Sequence, residues 1–153
     1  MSKKRVLFLC TGNSARSQMA EAILCQYADD TFEAYSAGLE AKGVNPLTIK
    51  VMDEVGINIS EQTSKGIETY LGKVHFQYLI TLCDDAEKTC PTIWPEVNTT
   101  MHWSFEDPAK FEGTEEEKPA KFREVRDLME DKIILFKIDY LMNFQAKQGV
   151  FID

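Results

Sequence analysis

The sequence is short of positive charge and has no long apolar run. Its 153 residues include 17 lysines and arginines against 25 aspartates and glutamates, a formal net charge of −8 at pH 7. Nucleic-acid-binding proteins usually carry a basic surface, so this balance argues against that class. No stretch approaches the roughly 18 apolar residues of a membrane span, and the apolar run behind the basic start is shorter than a signal-peptide core of about 7–15. We expect a cytoplasmic protein with neither a nucleic-acid nor a membrane partner.

Cysteine is also scarce. In a reducing cytoplasm a pair of thiols that oxidises is a better candidate for catalysis or sensing than for a structural staple. Cys25 lies within a helical pattern beside Ile23 and Leu24, which predicts a small core residue. The other three cysteines are Cys10, Cys83 and Cys90.

The order of the elements predicts an α/β fold. Length and composition fit one globular domain over 1–153. Apolar runs and helical periodicity predict strands at 5–9, 31–36, 76–82 and 99–103, and helices at about 17–28, 46–55, 64–71 and from a start between Thr114 and Pro119. Thr114 with Glu117 fits a capping box, whereas Pro119 fits a later start. The alternation favours a three-layer sandwich, a four-stranded parallel sheet with helices on both faces.

One segment carries the strongest chemical signal, and it runs Cys10-Thr11-Gly12-Asn13-Ser14-Ala15-Arg16-Ser17. It joins the first strand to the first helix, where ligands bind in parallel sheets. Loop amides and the positive helix end converge there, which suits a tetrahedral oxyanion and favours the thiolate of Cys10. Arg16 adds a planar fork that can hold two oxygens. The alternative is a buried core cysteine beside a surface arginine.

Asp107-Pro108 is a second candidate element. A carboxyl group on this turn can serve as a general acid for a departing oxygen. An acidic residue that merely opens a turn is the commoner meaning of the pair, so the assignment depends on the Cys10 loop.

Cys83 and Cys90 follow the third strand. In a helix they would share one face but lie roughly 10 Å apart along the axis, whereas a disulfide tolerates Cα separations of about 4.4–6.8 Å. Bonding them therefore requires the segment to bend or unwind, which favours a redox switch. The alternatives are two incidental thiols, or half of a metal site completed by His75 and His102, although no Cys-x2-Cys spacing supports a metal.

With these residues assembled, the chain closely resembles the thioredoxin-coupled arsenate reductases, which share the low-molecular-weight tyrosine phosphatase fold. The match runs through nearly the whole chain. The segments that carry it are 6–17, Tyr35-Ser36-Ala37-Gly38, Thr81-Leu82-Cys83-Asp84, Cys90-Pro91, His102-Trp103, Asp107-Pro108-Ala109 and 113–117.

The resemblance implies a mechanism for arsenic detoxification. Cys10 attacks arsenic, Arg16 and the loop amides hold the oxyanion, and Asp107 protonates the leaving hydroxide. Cys83 then attacks Cys10, which releases arsenite and leaves a Cys10–Cys83 disulfide, and Cys90 converts it to Cys83–Cys90. Thioredoxin, which receives its electrons from NADPH through thioredoxin reductase, reduces that bond. No tightly bound cofactor is implied, and we expect a monomer.

The resemblance also gives Asn13 and Ser17 the role of supporting the Cys10 thiolate. Some relatives bind a monovalent cation beside the loop, where Asn13, Glu21 and Thr63 are the candidate ligands, but Lys65 brings a positive charge to the same place. The extension Lys147 to Asp153 has no assigned role.

Two other activities fit part of the pattern. A low-molecular-weight tyrosine phosphatase uses the same nucleophile, arginine and acid, so a weak phosphatase side activity is expected. Against it as the main activity, Ala109-Lys110 stand where phosphatases carry aromatic residues, and a phosphatase needs neither Cys83 nor Cys90. A non-catalytic metalloid sensor would trap arsenite with its thiols and have little use for Asp107.

Overall fold

The computed structural model describes residues 2–84 and 94–147, with side chains up to 144. Cys90 and most of the predicted C-terminal extension lie outside this part of the chain. Within it, no helix combines the length and the apolar character needed to cross a lipid bilayer.

The predicted α/β class is confirmed. The elements in chain order are β1 (Lys4–Cys10), α1 (Arg16–Ala28), β2 (Phe32–Gly38), α2 (Pro46–Asp53), a 3₁₀ turn (Ile67–Thr69), β3 (Tyr78–Thr81), β4 (Thr99–His102), a second 3₁₀ turn (Pro108–Lys110) and α3 (Glu117–Lys147). The four strands form one sheet in the order β2-β1-β3-β4. Every pairing in it is parallel.

β1 is an inner strand of the sheet, and its apolar side chains are buried on both faces. Val6, Phe8 and Cys10 pack into the larger core cluster, with side chains of α1, α2 and α3. Leu7 and Leu9 point the other way, as the two-residue period of a strand requires. That second face is covered by the segment containing the first 3₁₀ turn and by Phe76 and Trp94.

Local signals set the helix starts. The Asn45 side chain accepts a hydrogen bond from the Leu47 amide (2.9 Å), which caps α2 at the predicted start. At α3 the Thr114 amide donates to Glu117 Oε1 (2.9 Å) and the Glu117 amide donates to Thr114 Oγ1 (3.1 Å). This is the reciprocal capping box, so the earlier of the two predicted starts is correct.

The helix predicted at 64–71 is shorter than expected, a single 3₁₀ turn, because a few residues interrupted by Gly66 cannot sustain an α-helix.

The prediction for Cys25 was wrong. Its thiol is exposed, because Cys25 lies one turn before the exposed Asp29 and next to the exposed Gln26, at the outward-facing end of α1. Its sulfur lies 3.8 Å from Asp29 Oδ1. Partial desolvation, followed by the Asp29 carboxylate, raises the pKa of Cys25 and makes it a poorer nucleophile.

Candidate active site

The site lies where the chain changes direction across the sheet. β1 has β2 on one side and β3 on the other, so the connection from β1 runs to one side of the sheet and the connection from β2 returns past β1 to the other side. Such a switch point opens a crevice beyond the strand ends. Cys10 is the last residue of β1 and is only 2% exposed, which puts its sulfur at the base of this crevice.

The peptide groups of the loop are oriented by the chain that follows β2. The carbonyls of Cys10, Thr11, Gly12 and Ser14 accept hydrogen bonds from the amides of Leu39 (3.3 Å), Glu40 (3.1 Å), Lys42 (3.0 Å) and Asn45 (3.0 Å), respectively. In a trans peptide the N–H points opposite to the C=O. The amides at positions 11, 12, 13 and 15 therefore turn to the inner side of the loop, next to the N-terminus of α1. Such an arrangement of donors suits an anion, and oxyanion binding there stays a prediction.

Gly38 allows this close approach. A Cβ atom built there would lie 2.7 Å from the Asn13 amide nitrogen, and 2.9 Å from both the Gly12 carbonyl carbon and the Thr11 carbonyl oxygen. These are backbone atoms, which cannot swing aside as a flexible side chain does. The end of β2 can therefore support the loop only as glycine.

A directed chain of hydrogen bonds ends on Cys10. The Lys65 amide, which can only donate, is 2.7 Å from Asn13 Oδ1 and so fixes the orientation of the Asn13 carboxamide. Asn13 Nδ2 then donates to Ser17 Oγ at 2.7 Å. Because Ser17 Oγ accepts that bond, its own proton is available to the Cys10 sulfur, 2.8 Å away. The arrangement presents a donor to Cys10, as a thiolate requires.

Arg16 is buried, and its guanidinium is held in place by backbone carbonyls and by Asp107. Its Nη1 donates to the carbonyl of Phe105 (3.1 Å) and lies 3.5 Å from that of Leu82, beyond the ends of β4 and β3. Its Nη2 is 3.4 Å from Asp107 Oδ2. The guanidinium plane is thereby held at the mouth of the loop.

Asp107 both opens a turn and lies at the site. Its Oδ1 accepts the Ala109 amide (3.0 Å), so the residue caps the second 3₁₀ turn. Its Oδ2 faces Arg16, so the same carboxyl group also lies at the site. The structure thus brings Asp107 to the Cys10 loop from the far end of the sheet, and its role as an acid stays a prediction.

Cys83 also lies beside the loop. β3 pairs with β1 in parallel register, and Cys83 follows two residues after its end. The Cys83 sulfur is 3.9 Å from the Oγ1 of Thr11, which follows Cys10 in the chain. The Cys83 side chain is fully buried. Cys83 is disulfide-bonded, whereas Cys10 and Cys25 are free thiols.

Metal ligation finds no support in residues 2–84 and 94–147, where no group of three or more histidine, cysteine, aspartate or glutamate side chains is placed to hold an ion. His102, one candidate for such a site, instead has its Nδ1 2.7 Å from Thr81 Oγ1.

The predicted monovalent-cation position contains an ammonium group. Lys65 Nζ donates to the Thr63 carbonyl (2.6 Å) and lies 3.9 Å from Glu21 Oε1. Burial raises the pKa of Glu21, while a hydrogen bond from Ser36 Oγ (2.7 Å) and the charge of Lys65 act in the opposite direction. Lys65 thus supplies positive charge to two of the three predicted ligands.

Three polar residues around the loop were missed from the sequence. Ser36 accepts from Asn13 Nδ2 at 3.0 Å, and Gln18 and Gln62 form a pair beneath Asn13. Ser36 alone had a signal, because it falls in one of the segments shared with the reductases. The two glutamines have no distinguishing pattern, since polar residues in a first helical turn and in a loop are ordinary.

Comparison with known proteins places this geometry in a family. Residues 5–145 match the family of low molecular weight phosphotyrosine protein phosphatases. A relative from Halalkalibacterium halodurans, named arsenate reductase, is 51% identical over 136 residues, which cover 89% of this chain and 96% of the relative.

Solved structures agree with this placement. One, an arsenate reductase in its phosphate-binding state, superposes with a TM-score of 0.73 at 33% identity and covers 87% of this chain and 95% of its own. Another, a thioredoxin-dependent arsenate reductase from Corynebacterium glutamicum, has a TM-score of 0.57 at 27% identity, over 87% of this chain and 63% of that one.

Proposed function

The chain belongs to the low molecular weight phosphotyrosine protein phosphatase family, and we propose that it is an arsenate reductase in which three cysteines pass electrons from thioredoxin to arsenate. The reductase assignment is supported by relatives of that name at about half identity along most of both chains. The relay rests on the placement of a second buried cysteine, Cys83, against the loop of the first.

The first step uses the loop. Arsenate is a tetrahedral oxyanion, and the inward amides at positions 11–13 and 15 together with Arg16 match its charge and shape. The Cys10 thiolate attacks arsenic and one oxygen leaves as water, with Asp107 supplying a proton. Arsenic is still pentavalent in the resulting thioester.

The reduction takes place in the second step. The Cys83 thiolate attacks the Cys10 sulfur, the bond between Cys10 and arsenic breaks, and its electron pair stays on arsenic. Arsenite leaves as the trivalent product, and the two sulfurs are joined in a disulfide. The 3.9 Å separation between Cys83 Sγ and Thr11 Oγ1 is the observation that carries this step, because it puts the attacking sulfur at the loop that holds Cys10.

Two exchanges then restore the enzyme. The Cys90 thiolate attacks Cys83 and releases Cys10 as a thiolate, which moves the disulfide to Cys83–Cys90. Thioredoxin dithiol reduces that bond by thiol–disulfide exchange and is itself oxidised. One arsenate consumes one thioredoxin dithiol and yields arsenite and water. A disulfide at Cys83 beside a free Cys10 supports the stage of this cycle that precedes reduction by thioredoxin.

One coupled assay tests the proposal. NADPH consumption is measured with thioredoxin, thioredoxin reductase and arsenate, for the wild type and for Cys83→Ser, Cys90→Ser and Cys25→Ser. We expect sustained turnover in the wild type, near-complete loss in the first two variants and wild-type turnover in Cys25→Ser, whose thiol is exposed on α1.

Each proposed element has its own contrary outcome. Sustained turnover in Cys90→Ser would overturn the three-cysteine relay, and no dependence on arsenate would overturn the reductase. Hydrolysis of an aryl phosphate needs only Cys10, Arg16 and Asp107, so it should survive in Cys83→Ser as a slow side reaction. Fast hydrolysis with no arsenate reduction would instead favour the tyrosine phosphatase.

A further inference from the structure

Gln18 is a fully buried polar side chain in the first turn of α1 that takes no part in the proposed chemical steps. Its Nε2 lies 3.1 Å from the Asn13 carbonyl oxygen, 3.0 Å from Asn13 Oδ1 and 3.0 Å from the Thr63 carbonyl oxygen. Two of these partners are backbone carbonyls, which can only accept. The nitrogen end of the Gln18 carboxamide therefore faces Asn13.

The other end of the same carboxamide is also fixed. Gln62 Nε2 donates to Gln18 Oε1 at 2.7 Å and lies 3.2 Å from the Gln18 carbonyl oxygen. With a donor on its oxygen and acceptors around its nitrogen, the Gln18 side chain has one orientation that satisfies all its partners. Reversal would put an oxygen against the backbone carbonyls of Asn13 and Thr63 inside the core, which is costly.

Asn13 is the residue that this arrangement holds. Its φ is 48°, in the left-handed region that side chains other than glycine rarely adopt. Gln18 binds both the backbone oxygen and the side-chain oxygen of Asn13, so it restrains the left-handed turn and the carboxamide together. From there the chain continues through Asn13 Nδ2 and the Ser17 hydroxyl to the Cys10 sulfur.

We propose that Gln18 is a positioning residue that, by fixing Asn13, keeps the Ser17 hydroxyl proton directed at Cys10 and so maintains Cys10 as a reactive thiolate. This rests on the proposed function in one respect only, that Cys10 is the nucleophile. Gln18 does not itself touch Cys10 or the oxyanion. Its effect passes through two intervening side chains and is a property of the resting enzyme.

The direct test is the pH dependence of Cys10 alkylation by iodoacetamide in the reduced full-length protein, followed at the Cys10 peptide by mass spectrometry. Gln18→Met keeps the length of the side chain and removes its donors. We expect the midpoint of the alkylation profile to rise by roughly 0.7 pH unit, which is about a fivefold loss of thiolate below the midpoint. Gln26→Met, the same change at an exposed position of α1, should leave the profile unchanged.

A structural role would give a different result. If Gln18→Met lowers the melting temperature but leaves the alkylation midpoint where it is in the wild type, the proposal is overturned. Should Gln18→Met fail to fold, Gln18→Asn keeps an amide but withdraws it by one methylene from Asn13. It is expected to move the midpoint in the same direction, and an unmoved midpoint there would count equally against the proposal.

Coupling to Ser17 provides the second criterion. Ser17→Ala removes the last link of the chain and should raise the midpoint by itself. In that background Gln18→Met should add little, because its effect passes through Ser17. Additive shifts would mean that Gln18 acts by another route and would refute the proposal.

The alkylation readout needs neither arsenate nor thioredoxin. A protein that shows the shifted midpoint but no arsenate-dependent NADPH consumption would retain the positioning role and lose the reductase function. A wild type that turns over arsenate, together with a Gln18→Met variant whose alkylation midpoint is unshifted, would retain the reductase function and lose the positioning role.

Discussion

Asp107 and Arg16 approach each other from opposite sides of the site, with Asp107 Oδ2 3.4 Å from Arg16 Nη2. The arginine is 2% exposed, and the aspartate side chain is more open, at 15%. The pairing does two things. It holds the carboxyl group beside the Arg16 guanidinium at the site, and it leaves that group partly in contact with solvent.

Asp107→Asn should therefore separate chemistry from structure. The amide keeps an oxygen for the Ala109 cap but has no acidic proton, so arsenate-dependent turnover should fall roughly 10²- to 10⁴-fold with little change in melting temperature. Coupled NADPH consumption and a thermal melt measure the two quantities. The control is Glu106→Gln, the neighbouring acid, which pairs with Lys121 at 2.9 Å and should retain its turnover. An Asp107→Asn enzyme with wild-type turnover would remove the acid from the mechanism.

Gly38→Ala should damage the loop through the backbone. The new Cβ would meet backbone atoms at 2.7–2.9 Å, so either the end of β2 or the Cys10 loop must move. We expect a loss of about 1–3 kcal/mol of stability, together with weaker protection by phosphate in a thermal melt.

Gly72 provides the matched control. Its φ is 77°, and within the part of the chain that the structure describes no atom beyond Gly72 and its two chain neighbours lies within 4 Å of a Cβ built there. Gly72→Asn, a residue that tolerates the left-handed region, should cost little and leave phosphate protection intact. Equal losses at the two glycines would show that close approach at Gly38 is not what matters.

The sequence was sufficient for the parts of the site that are local. The segment from Cys10 to Ser17 is continuous, and its position between a buried strand and a helix follows from apolar periodicity. The cap at Asn45 is of the same kind, since its bond to Leu47 spans two residues. The start of α3 is an exception among local features. The sequence offered two starts, and the reciprocal hydrogen bonds between Thr114 and Glu117 in the structure decide between them.

The remainder depends on contacts that are distant in sequence. The Arg16 guanidinium is fixed by the carbonyl of Phe105, and Asn13 by the amide of Lys65. No pattern marks Phe105 in advance, and Lys65 was expected near Asn13 only for the charge of its side chain. Cys25 was misplaced for a different reason. Its neighbours Ile23 and Leu24 are apolar and buried, but exposure depends on the helix face, and Cys25 shares its face with the exposed Asp29.

Lys65→Met should make the enzyme responsive to potassium. The ammonium group now lies between the Thr63 carbonyl and Glu21. Without it the pKa of the partly buried Glu21 would rise further above its usual value, because only hydrogen bonds from Ser36 would still oppose the effect of burial. A potassium ion can restore the charge. We expect the variant to gain melting temperature in KCl, roughly 2–4 °C for each kcal/mol of cation binding.

The matched salt is tetramethylammonium chloride at the same ionic strength, whose cation is too large for the position. The wild type should show no difference between the two salts. A wild type that responds to potassium as strongly as the variant would mean that Lys65 does not take the place of the cation.

The ion pairs between α2 and α3 should make stability depend on pH in acid. Glu54 follows α2 and accepts from Arg123 (2.8 Å) and Arg126 (3.0 Å) of α3. Hydrogen bonds from Arg123, with the charges of both arginines, lower the pKa of Glu54 to about 2 from its usual 4.5. Because the folded-state pKa is the lower one, the stabilisation is complete above 4.5 and is lost as the pH falls toward 2.

Glu54→Gln should accordingly have a lower urea midpoint than the wild type at neutral pH, and the gap should shrink as the pH falls to about 3. Urea titrations of both proteins at a series of pH values measure it. Glu61→Gln, at an exposed position, controls for the loss of one acidic charge from a chain of net charge −8. A gap of constant size across that range would mean that the carboxylate of Glu54 is not what joins α2 to α3, since a packing contribution does not titrate.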